Sequence, residues 1–104
     1  MKHLRHKYKA VQTELDGIKF GSKREARYYK ELKLRVKAGD VVTFLRQVPF
    51  PLPGGVRYVC DFLEFHADGT VHVIDVKGFE TEAFRAKKKM VEQVYAPIKI
   101  EVVK

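Results

Sequence analysis

The chain has 104 residues and a hydrophobic fraction of 45%, which is most simply one domain with a single packed core. Its formal net charge of +8 favours a polyanionic partner, most often nucleic acid, over a membrane surface, and no apolar run reaches the length of a transmembrane span. Cys60 is the lone cysteine, which excludes an internal disulfide and a cysteine-based zinc site. We therefore expect a cytoplasmic protein without a membrane partner.

The first segment, residues 1–11, is basic and has no start signal for a helix or a strand. Its cations include Lys7 and Lys9, which could contact phosphates if the segment is a flexible arm. The alternative is a terminus that serves solubility alone. The rest of the chain, residues 12–104, is predicted to form a single domain.

The first helix is predicted to follow a turn at Asp16-Gly17 and a short strand. Ser22 to Glu25 fits the capping-box pattern at the start of this helix, and Gly39 is a typical stop signal. The predicted apolar stripe consists of Ala26, Tyr29, Leu32 or Lys33, and Val36. Glu25 is the third helical residue of the capping box, which gives it a purely structural explanation.

The remaining elements are predicted to be three antiparallel strands, a helix and a last strand. In order, they cover residues 41–52, 57–65, 71–77, 81–95 and 98–103. Three prolines, at positions 49, 51 and 53, confine the first of these strands to a sheet edge or give it an early end. The apolar stripe of the second helix is predicted to consist of Phe84, Val91, Tyr95 and either Met90 or Val94.

The loop between the two central strands decides whether their acidic residues meet. A two-residue Asp68-Gly69 loop would place Asp61 and Asp75 on opposite faces, whereas a three-residue loop with Gly69 in the left-handed conformation sets them opposite each other. Only the three-residue loop also keeps the apolar residues of both strands on the face of the acids, so we predict it. Strict alternation of side chains puts Tyr58 on the other face, away from Asp61.

Asp75 and Lys77 share one face of their strand, with Asp61 predicted across from Asp75. An ion pair at a strand end would explain Asp75 and Lys77 alone, but two facing carboxylates repel each other unless a cation lies between them. Mg²⁺ prefers oxygen ligands and keeps several waters, so two carboxylates and a main-chain carbonyl, here that of Val76, suffice. Lys77 could orient the attacking water and stabilise charge on the phosphate. The set therefore predicts metal-assisted phosphodiester cleavage.

Asp61, thirteen further residues and then Asp75-Val76-Lys77 resemble the signature of the PD-(D/E)XK nuclease superfamily, although Cys60 stands where that signature often has proline. The chain resembles more closely a small phage-encoded family of endonucleases within this superfamily. Four ordered blocks carry that resemblance, namely residues 16–20, 22–29, 47–50 and 75–79, read as DGIKF, SKREARYY, QVPF and DVKGF. The resemblance covers the chain from about Lys7 onward.

The resemblance implies an α/β (α+β) fold with an αβββαβ core, in which two helices flank a mixed central sheet. It implies a metal site at a fork in the sheet, where Asp61, Asp75 and the Val76 carbonyl would hold Mg²⁺, or Mn²⁺ in its place. It also gives Glu25 a second role as a metal ligand, directly or through water. This role competes with capping, and we favour it. Gln47 is either a residue that lines the site near the phosphate or an exposed residue of an edge strand.

Contacts to DNA are expected from basic side chains in the arm and on both helices. The candidates are Lys7, Lys9, Lys23, Arg24, Arg85, Lys88 and Lys89, together with Gln47. A charge run such as the one on the second helix is otherwise a solvated face.

We therefore expect a Mg²⁺-dependent DNA endonuclease that is structure-selective, acting on double-stranded or branched DNA such as a Holliday junction. By analogy with the family, a homodimer with two such sites would suit a junction in phage recombination, repair or genome processing. It would work in the cytoplasm of a phage-infected or lysogenic bacterial cell, with phage or host replication and recombination proteins as possible partners. The alternatives are a non-catalytic nucleic-acid-binding module and the nuclease subunit of a larger assembly.

Overall fold

The computed structural model describes residues 13–104, which form an α+β fold with two helices, a four-stranded mixed sheet and a small hairpin. The elements in order are β1 (Thr13–Leu15), β2 (Ile18–Phe20), α1 (Lys23–Ala38), β3 (Val41–Pro51), β4 (Arg57–His66), β5 (Val71–Val76), α2 (Glu82–Val94) and β6 (Ile100–Val103). The predicted αβββαβ order is confirmed. The predicted basic arm, with Lys7 and Lys9, lies outside the described residues.

Helix α1 begins and ends where the sequence predicts. The Ser22 hydroxyl accepts a hydrogen bond from the Glu25 N–H at 3.1 Å, and Gly39 ends the helix in the left-handed conformation with φ at 87°. Leu32, rather than Lys33, completes the buried stripe with Ala26 and Tyr29. This stripe fixes which face of α1 turns to the sheet, and therefore the direction of the side chains in its first turn.

The sheet has the order β3-β4-β5-β6, so β3 is an edge strand, as its prolines predict. Strands β3, β4 and β5 are antiparallel, and β6 returns through α2 to pair with β5 in parallel. The three-residue loop is also confirmed, since the His66 N–H donates to the Thr70 carbonyl at 2.9 Å and Gly69 has φ at 89°. This register sets Asp61 across from Asp75, one position beyond the last β4–β5 pair, Phe62 with Ile74.

The two helices cover opposite faces of the sheet. Phe62 and Ile74 pack in a buried cluster with the stripe of α1, whereas the next residues on their strands, Leu63 and Val73, pack with Val91 of α2. On α2, Phe84 and Val91 are buried, but Met90 and Val94 keep 36% and 49% exposure, so neither completes the predicted stripe. Within residues 13–104, neither helix combines the length and the apolar character needed to cross a membrane.

The predicted start of the last strand is two residues too early. The Ile98 N–H donates to the Tyr95 carbonyl at 2.9 Å, which closes a turn around Pro97 and delays β6 to Ile100. The reason is local: the backbone of Ile98 is used by this turn before the strand can pair.

One irregularity in the sheet positions the candidate site. Pairing of β3 with β4 runs through Arg46 with Phe62 and resumes at Val48 with Cys60, so Gln47 and Asp61 lie at a break in the ladder. Gln47 has φ at 53°, a left-handed conformation that is uncommon for a residue with a side chain. The strand faces change at this break, because Tyr58 and Cys60 pack in the cluster of α2 although strict alternation from Phe62 would place them with α1. The prediction that Tyr58 points away from the acids is therefore wrong.

Candidate active site at the end of the central strands

Four residues predicted as catalytic converge where β4 and β5 stop pairing. Lys77 Nζ lies 3.3 Å from Asp75 Oδ1, and the Gln47 side-chain amide reaches both Glu25 Oε2 at 3.3 Å and Asp61 Oδ1 at 3.5 Å. The structure thus brings the three acids and the lysine to one place. Gln47 connects two of the acids, so it lines the site although its side chain is exposed.

The carboxylate of Asp61 accepts a hydrogen bond where β4 and β5 no longer pair through their backbones. Its Oδ2 accepts a hydrogen bond from the main-chain N–H of Val76 at 2.7 Å. A side chain of β4 thus satisfies a backbone donor at the end of β5, which lets the strands separate without leaving that donor unpaired. The same bond fixes the direction of the Asp61 carboxylate and the position of the Asp75-Val76-Lys77 segment.

Asp75 is buried, with 3% exposure, and only one of its oxygens is satisfied. The Tyr58 hydroxyl donates to Oδ2 at 2.5 Å. Oδ1 is buried without a hydrogen-bond partner in residues 13–104, since Lys77 Nζ lies within ion-pair distance but is not aligned for a hydrogen bond. Burial and the neighbouring Asp75 charge raise the pKa of Tyr58, so this hydroxyl stays protonated and remains a donor.

A second buried carboxylate, Glu64, provides an internal comparison. Glu64 is 1% exposed, but the Tyr28 hydroxyl donates to its Oε2 at 2.5 Å and His66 Nε2 lies 2.7 Å from its Oε1. Both oxygens of Glu64 therefore have partners, as is usual for buried polar groups. Oδ1 of Asp75 departs from this pattern, as does Nε of Arg46 beside Glu25, so both buried side-chain atoms without a partner in residues 13–104 lie at this cluster.

Glu25 turns toward the site instead of completing the capping box. Its backbone N–H donates to Ser22, but its carboxylate is contacted by Gln47 and by Arg46, whose Nη2 lies 3.7 Å from Oε2. The guanidinium of Arg46 also lies over the Phe20 ring at 4.6 Å from its centroid. Tyr58 and Arg46 were not among the predicted site residues. The Tyr58 contact depends on the break in the β3–β4 ladder, whereas the Arg46 contact depends on the packing of α1 against β3.

Negative charge accumulates in this cluster. Burial raises the pKa of Asp61 to about 7, and the charges of Asp75 and Glu25 act in the same direction, against the lowering effect of the Val76 N–H. Burial also raises the pKa of Glu25, with the Arg46 charge opposing and the Asp75 charge adding to the rise. The charge of Asp75 thus disfavours ionisation of both Asp61 and Glu25, and a cation among the three acids would relieve this repulsion.

Lys77 is held between the acids and the α2 face. Its Nζ lies 4.6 Å from the centroid of the Phe84 ring, and its side chain is partly exposed. The ammonium group is therefore restrained but open to a ligand, which is the arrangement expected of a group that contacts an anionic substrate.

The donor set fits a hard divalent cation such as Mg²⁺. Asp61 and Asp75 supply carboxylate oxygens, one of them the unsatisfied Oδ1 of Asp75, and Mg²⁺ needs few protein ligands because it keeps several waters. The residues that would hold it are Asp61, Asp75, the carbonyl of Val76, and Glu25 directly or through water. In residues 13–104, no three side chains of histidine, cysteine or acidic type are already arranged as a complete ligand set.

The predicted DNA-contacting residues are distributed over two helices. Lys23 and Arg24 are exposed in the first turn of α1, next to the acids. Arg85 and Lys89 are exposed on α2 and line one shallow groove, whereas Lys88 pairs with Glu92 at 3.1 Å. Lys88 is thus partly neutralised within its own helix, which leaves it the weakest candidate on α2.

Fold and site together define an α+β domain with a carboxylate–lysine cluster at the end of its central strands. Residues 5–104 match the model of a family described as "Protein of unknown function (DUF1064)", and the chain belongs to that family. Neither the curated proteins nor the solved structures contain a match. The family description assigns no activity.

Asp61→Asn is expected to stabilise the protein above pH 7. The pKa of Asp61 is raised to about 7 in the folded state, above its ordinary value of 3.8, so ionised Asp61 makes the fold less stable as the pH rises through that window. Asparagine removes the charge and can still accept from the Val76 N–H. Because one pKa unit corresponds to about 1.4 kcal/mol, we expect a gain of at least about 1 kcal/mol at pH 8 and a smaller gain at pH 5.

Urea denaturation in EDTA at the two pH values measures this difference. The matched control is Asp68→Asn, because hydrogen bonds from Thr70 lower the pKa of this exposed turn residue and its ionised form is the favoured one. Asp68→Asn should give no gain at pH 8. A lower stability of Asp61→Asn than of the unsubstituted protein at pH 8 would contradict the account of the charge cluster.

Proposed function

We propose that the protein is a Mg²⁺-dependent DNA endonuclease that hydrolyses phosphodiester bonds. The observation that carries this proposal is the convergence of Asp61, Asp75, Glu25 and Lys77, with one buried oxygen of Asp75 left unsatisfied. A protein that only binds DNA gains nothing from placing three acids where a phosphate would approach. Acids of this kind beside a lysine suit a reaction in which a cation and an ammonium group share a phosphate.

When bound among the acids, a divalent cation would polarise the phosphate and make water a stronger nucleophile. The chain itself supplies the rigid frame and one positive charge. Tyr58 holds Asp75, the Val76 N–H holds Asp61, and Gln47 keeps Glu25 beside Asp61. Lys77, restrained over Phe84, is placed to donate to a phosphate oxygen and to stabilise the charge that develops in the pentavalent transition state.

DNA is the substrate class that the charge balance supports, given a formal net charge of +8 and exposed cations on both helices. Residues 13–104 are taken up by the core elements and short connections, with no inserted loop for reading base edges. This favours selection by DNA structure, with double-stranded or branched DNA such as a Holliday junction as substrate. A homodimer, Mn²⁺ as a substitute cation, and a role in phage recombination, repair or genome processing in the bacterial cytoplasm are parts of the same proposal.

A non-catalytic nucleic-acid-binding module is the second candidate. It is favoured by one observation, namely that the described residues do not include a complete, preassembled set of metal ligands. The nuclease subunit of a larger assembly would have the same site and would need its partner to cut.

Lys77→Ala and Asp75→Asn are each expected to lower cleavage at least about 100-fold, because each removes a group that stabilises the transition state rather than the fold. The measurement uses labelled four-way junction, linear duplex and single-stranded DNA with Mg²⁺, Mn²⁺ or EDTA. The unsubstituted protein should cut with either metal and not in EDTA.

Two charge-matched variants control for surface charge. Lys37→Ala lies in the last turn of α1 and Asp68→Asn in the hairpin turn, and both should keep full activity. Binding without cutting under every metal would overturn the enzyme proposal for the isolated chain and would favour the binding module or the assembly subunit.

Phe79 is expected to contribute to structure selectivity. It is 76% exposed and follows Lys77 by two residues, in the connection between β5 and α2. An exposed aromatic ring beside the cleavage site can stack on a base that is unpaired at a branch point, and such stacking is worth about 1–3 kcal/mol per base. Phe79→Ala should therefore lower the ratio of junction to duplex cleavage about 10-fold, whereas Phe79→Tyr should retain it.

The control for Phe79 is Val94→Ala, which removes an exposed apolar side chain from α2. Its ratio of junction to duplex cleavage should not change. If Phe79→Ala leaves this ratio unchanged as well, Phe79 has no part in selecting the substrate.

A further inference from the structure

A small cavity lies beside the acidic cluster, between α1 and the ends of β5 and β6. Its volume is about 140 Å³. Its walls carry three basic side chains, Arg24, Arg27 and Lys104, and the apolar residues Val76 and Val103 also line it. Val76 connects this cavity to the site already described, because its N–H binds Asp61. The cavity and the acids are therefore one residue apart along β5.

The guanidinium of Arg24 lies at this cavity in the space where a side chain at Gly78 would begin. A Cβ atom added to Gly78 would lie 2.9 Å from Arg24 Nη1 and 3.1 Å from its Cζ, so the guanidinium at the end of this flexible side chain would have to shift to admit it. Gly78 does not have the positive φ of the turn glycines, so a side chain here would act on the space beside Arg24 and not on the backbone conformation. The absent side chain at position 78 lets the guanidinium lie directly against the chain that follows Lys77.

The charges around the cavity favour an anion. Arg24 and Arg27 are three residues apart on α1 and therefore neighbours on its surface. Lys104 pairs with Glu80 at 2.9 Å, and Glu31 is the one acidic residue that lines the cavity, so the two arginines leave an excess of positive charge. Guanidinium groups bind phosphate oxygens with paired hydrogen bonds, and a cavity of about 140 Å³ has room for a phosphate group.

We propose that this cavity binds a backbone phosphate of the DNA strand, next to the phosphate that lies at the acidic cluster. Arg24, seated on Gly78, is the principal ligand, and Arg27 is the second. This inference rests on the proposed function, since it assigns a second contact to the same substrate. A phosphate held on each side of Val76 fixes the direction of the strand through the site and prevents it from sliding along the acids.

The first test is the salt dependence of DNA binding in EDTA, which requires no cleavage. Each phosphate contact contributes about 0.9 to the slope of log affinity against log salt concentration. We expect Arg24→Ala to lower this slope by about one and to weaken binding about 10-fold at moderate salt. Gly78→Ala keeps every charge of the protein but forces the Arg24 guanidinium to shift, so it should lower the slope in the same direction and by less than Arg24→Ala does.

The control is Lys37→Ala, which removes the same charge from the same helix at a distance of about 20 Å along its axis. Its slope should equal that of the unsubstituted protein. Thermal unfolding of each variant shows that it is folded. Arg24→Lys keeps the positive charge but removes the paired donors of the guanidinium, so we expect an affinity between those of the unsubstituted protein and Arg24→Ala. A slope for Gly78→Ala that equals that of the unsubstituted protein would overturn the seating of Arg24.

The second test locates the phosphate. DNA substrates that carry one neutral methylphosphonate are compared, with the substitution moved position by position along the strand. The unsubstituted protein should lose affinity at one position adjacent to the cut, Arg24→Ala should show no further loss at that position, and Gly78→Ala should show a smaller loss than the unsubstituted protein. An equal loss at that position in all three proteins would overturn the assignment.

Inorganic phosphate serves as the probe for a free ligand. If it binds to the unsubstituted protein at millimolar concentration and not to Arg24→Ala, while the DNA slopes are equal, the cavity takes a free phosphate and the proposal is wrong. If the unsubstituted protein cuts DNA but no variant changes the slope, the cavity assignment fails and the proposed nuclease stands. If it binds no DNA at all, both fail.

Discussion

The hydrogen bond from the Val76 N–H to Asp61 is the interaction on which the site depends. It lies at the point where β4 and β5 separate, opposite the break that Gln47 makes in the edge of the sheet. Without it, the separation of the strands would leave a backbone donor unpaired in a partly buried place, at a cost of about 1–3 kcal/mol. With it, β4 and β5 can separate into a fork, in which β4 carries Asp61 and β5 carries Asp75.

The fork then places carboxylates close together in a partly buried position, and the hydrogen bonds of the fold only partly satisfy them. Glu64, at the other end of β4, is as buried as Asp75, but a tyrosine and a histidine satisfy both of its oxygens. One oxygen of Asp75 accepts a hydrogen bond from the Tyr58 hydroxyl. The other, beside Lys77, has no hydrogen-bond partner in residues 13–104. Asp61 and Glu25 complete the cluster, and burial together with the charge of Asp75 raises the pKa of both, so their ionisation is disfavoured. Stability lost at such a place is typical of a site formed for a ligand.

Local patterns were sufficient to predict much of this arrangement. The cap at Ser22, the edge position of β3 and the three-residue loop all follow from short-range rules, and the loop alone sets Asp61 across from Asp75. Tyr58 could not be predicted, because strict alternation fails at the break around Gln47 and no local signal marks that residue for a left-handed conformation. Arg46 precedes the break, and its contact with Glu25 depends on how α1 packs against β3. The close approach of Arg24 to Gly78 also could not be predicted, since the two residues are far apart in the sequence.

The central claim is that the acids at the fork form a divalent-cation site. Amide NMR spectra recorded during addition of Mn²⁺ test it most directly, since this paramagnetic ion broadens the signals of nearby residues. We predict that the amide signals of Val76 and Lys77 broaden first in the unsubstituted protein, and that Asp75→Asn requires much more Mn²⁺ for the same effect. Broadening that begins elsewhere, for example at the stacked His66 and His72, or that is the same in Asp75→Asn, would contradict the claim.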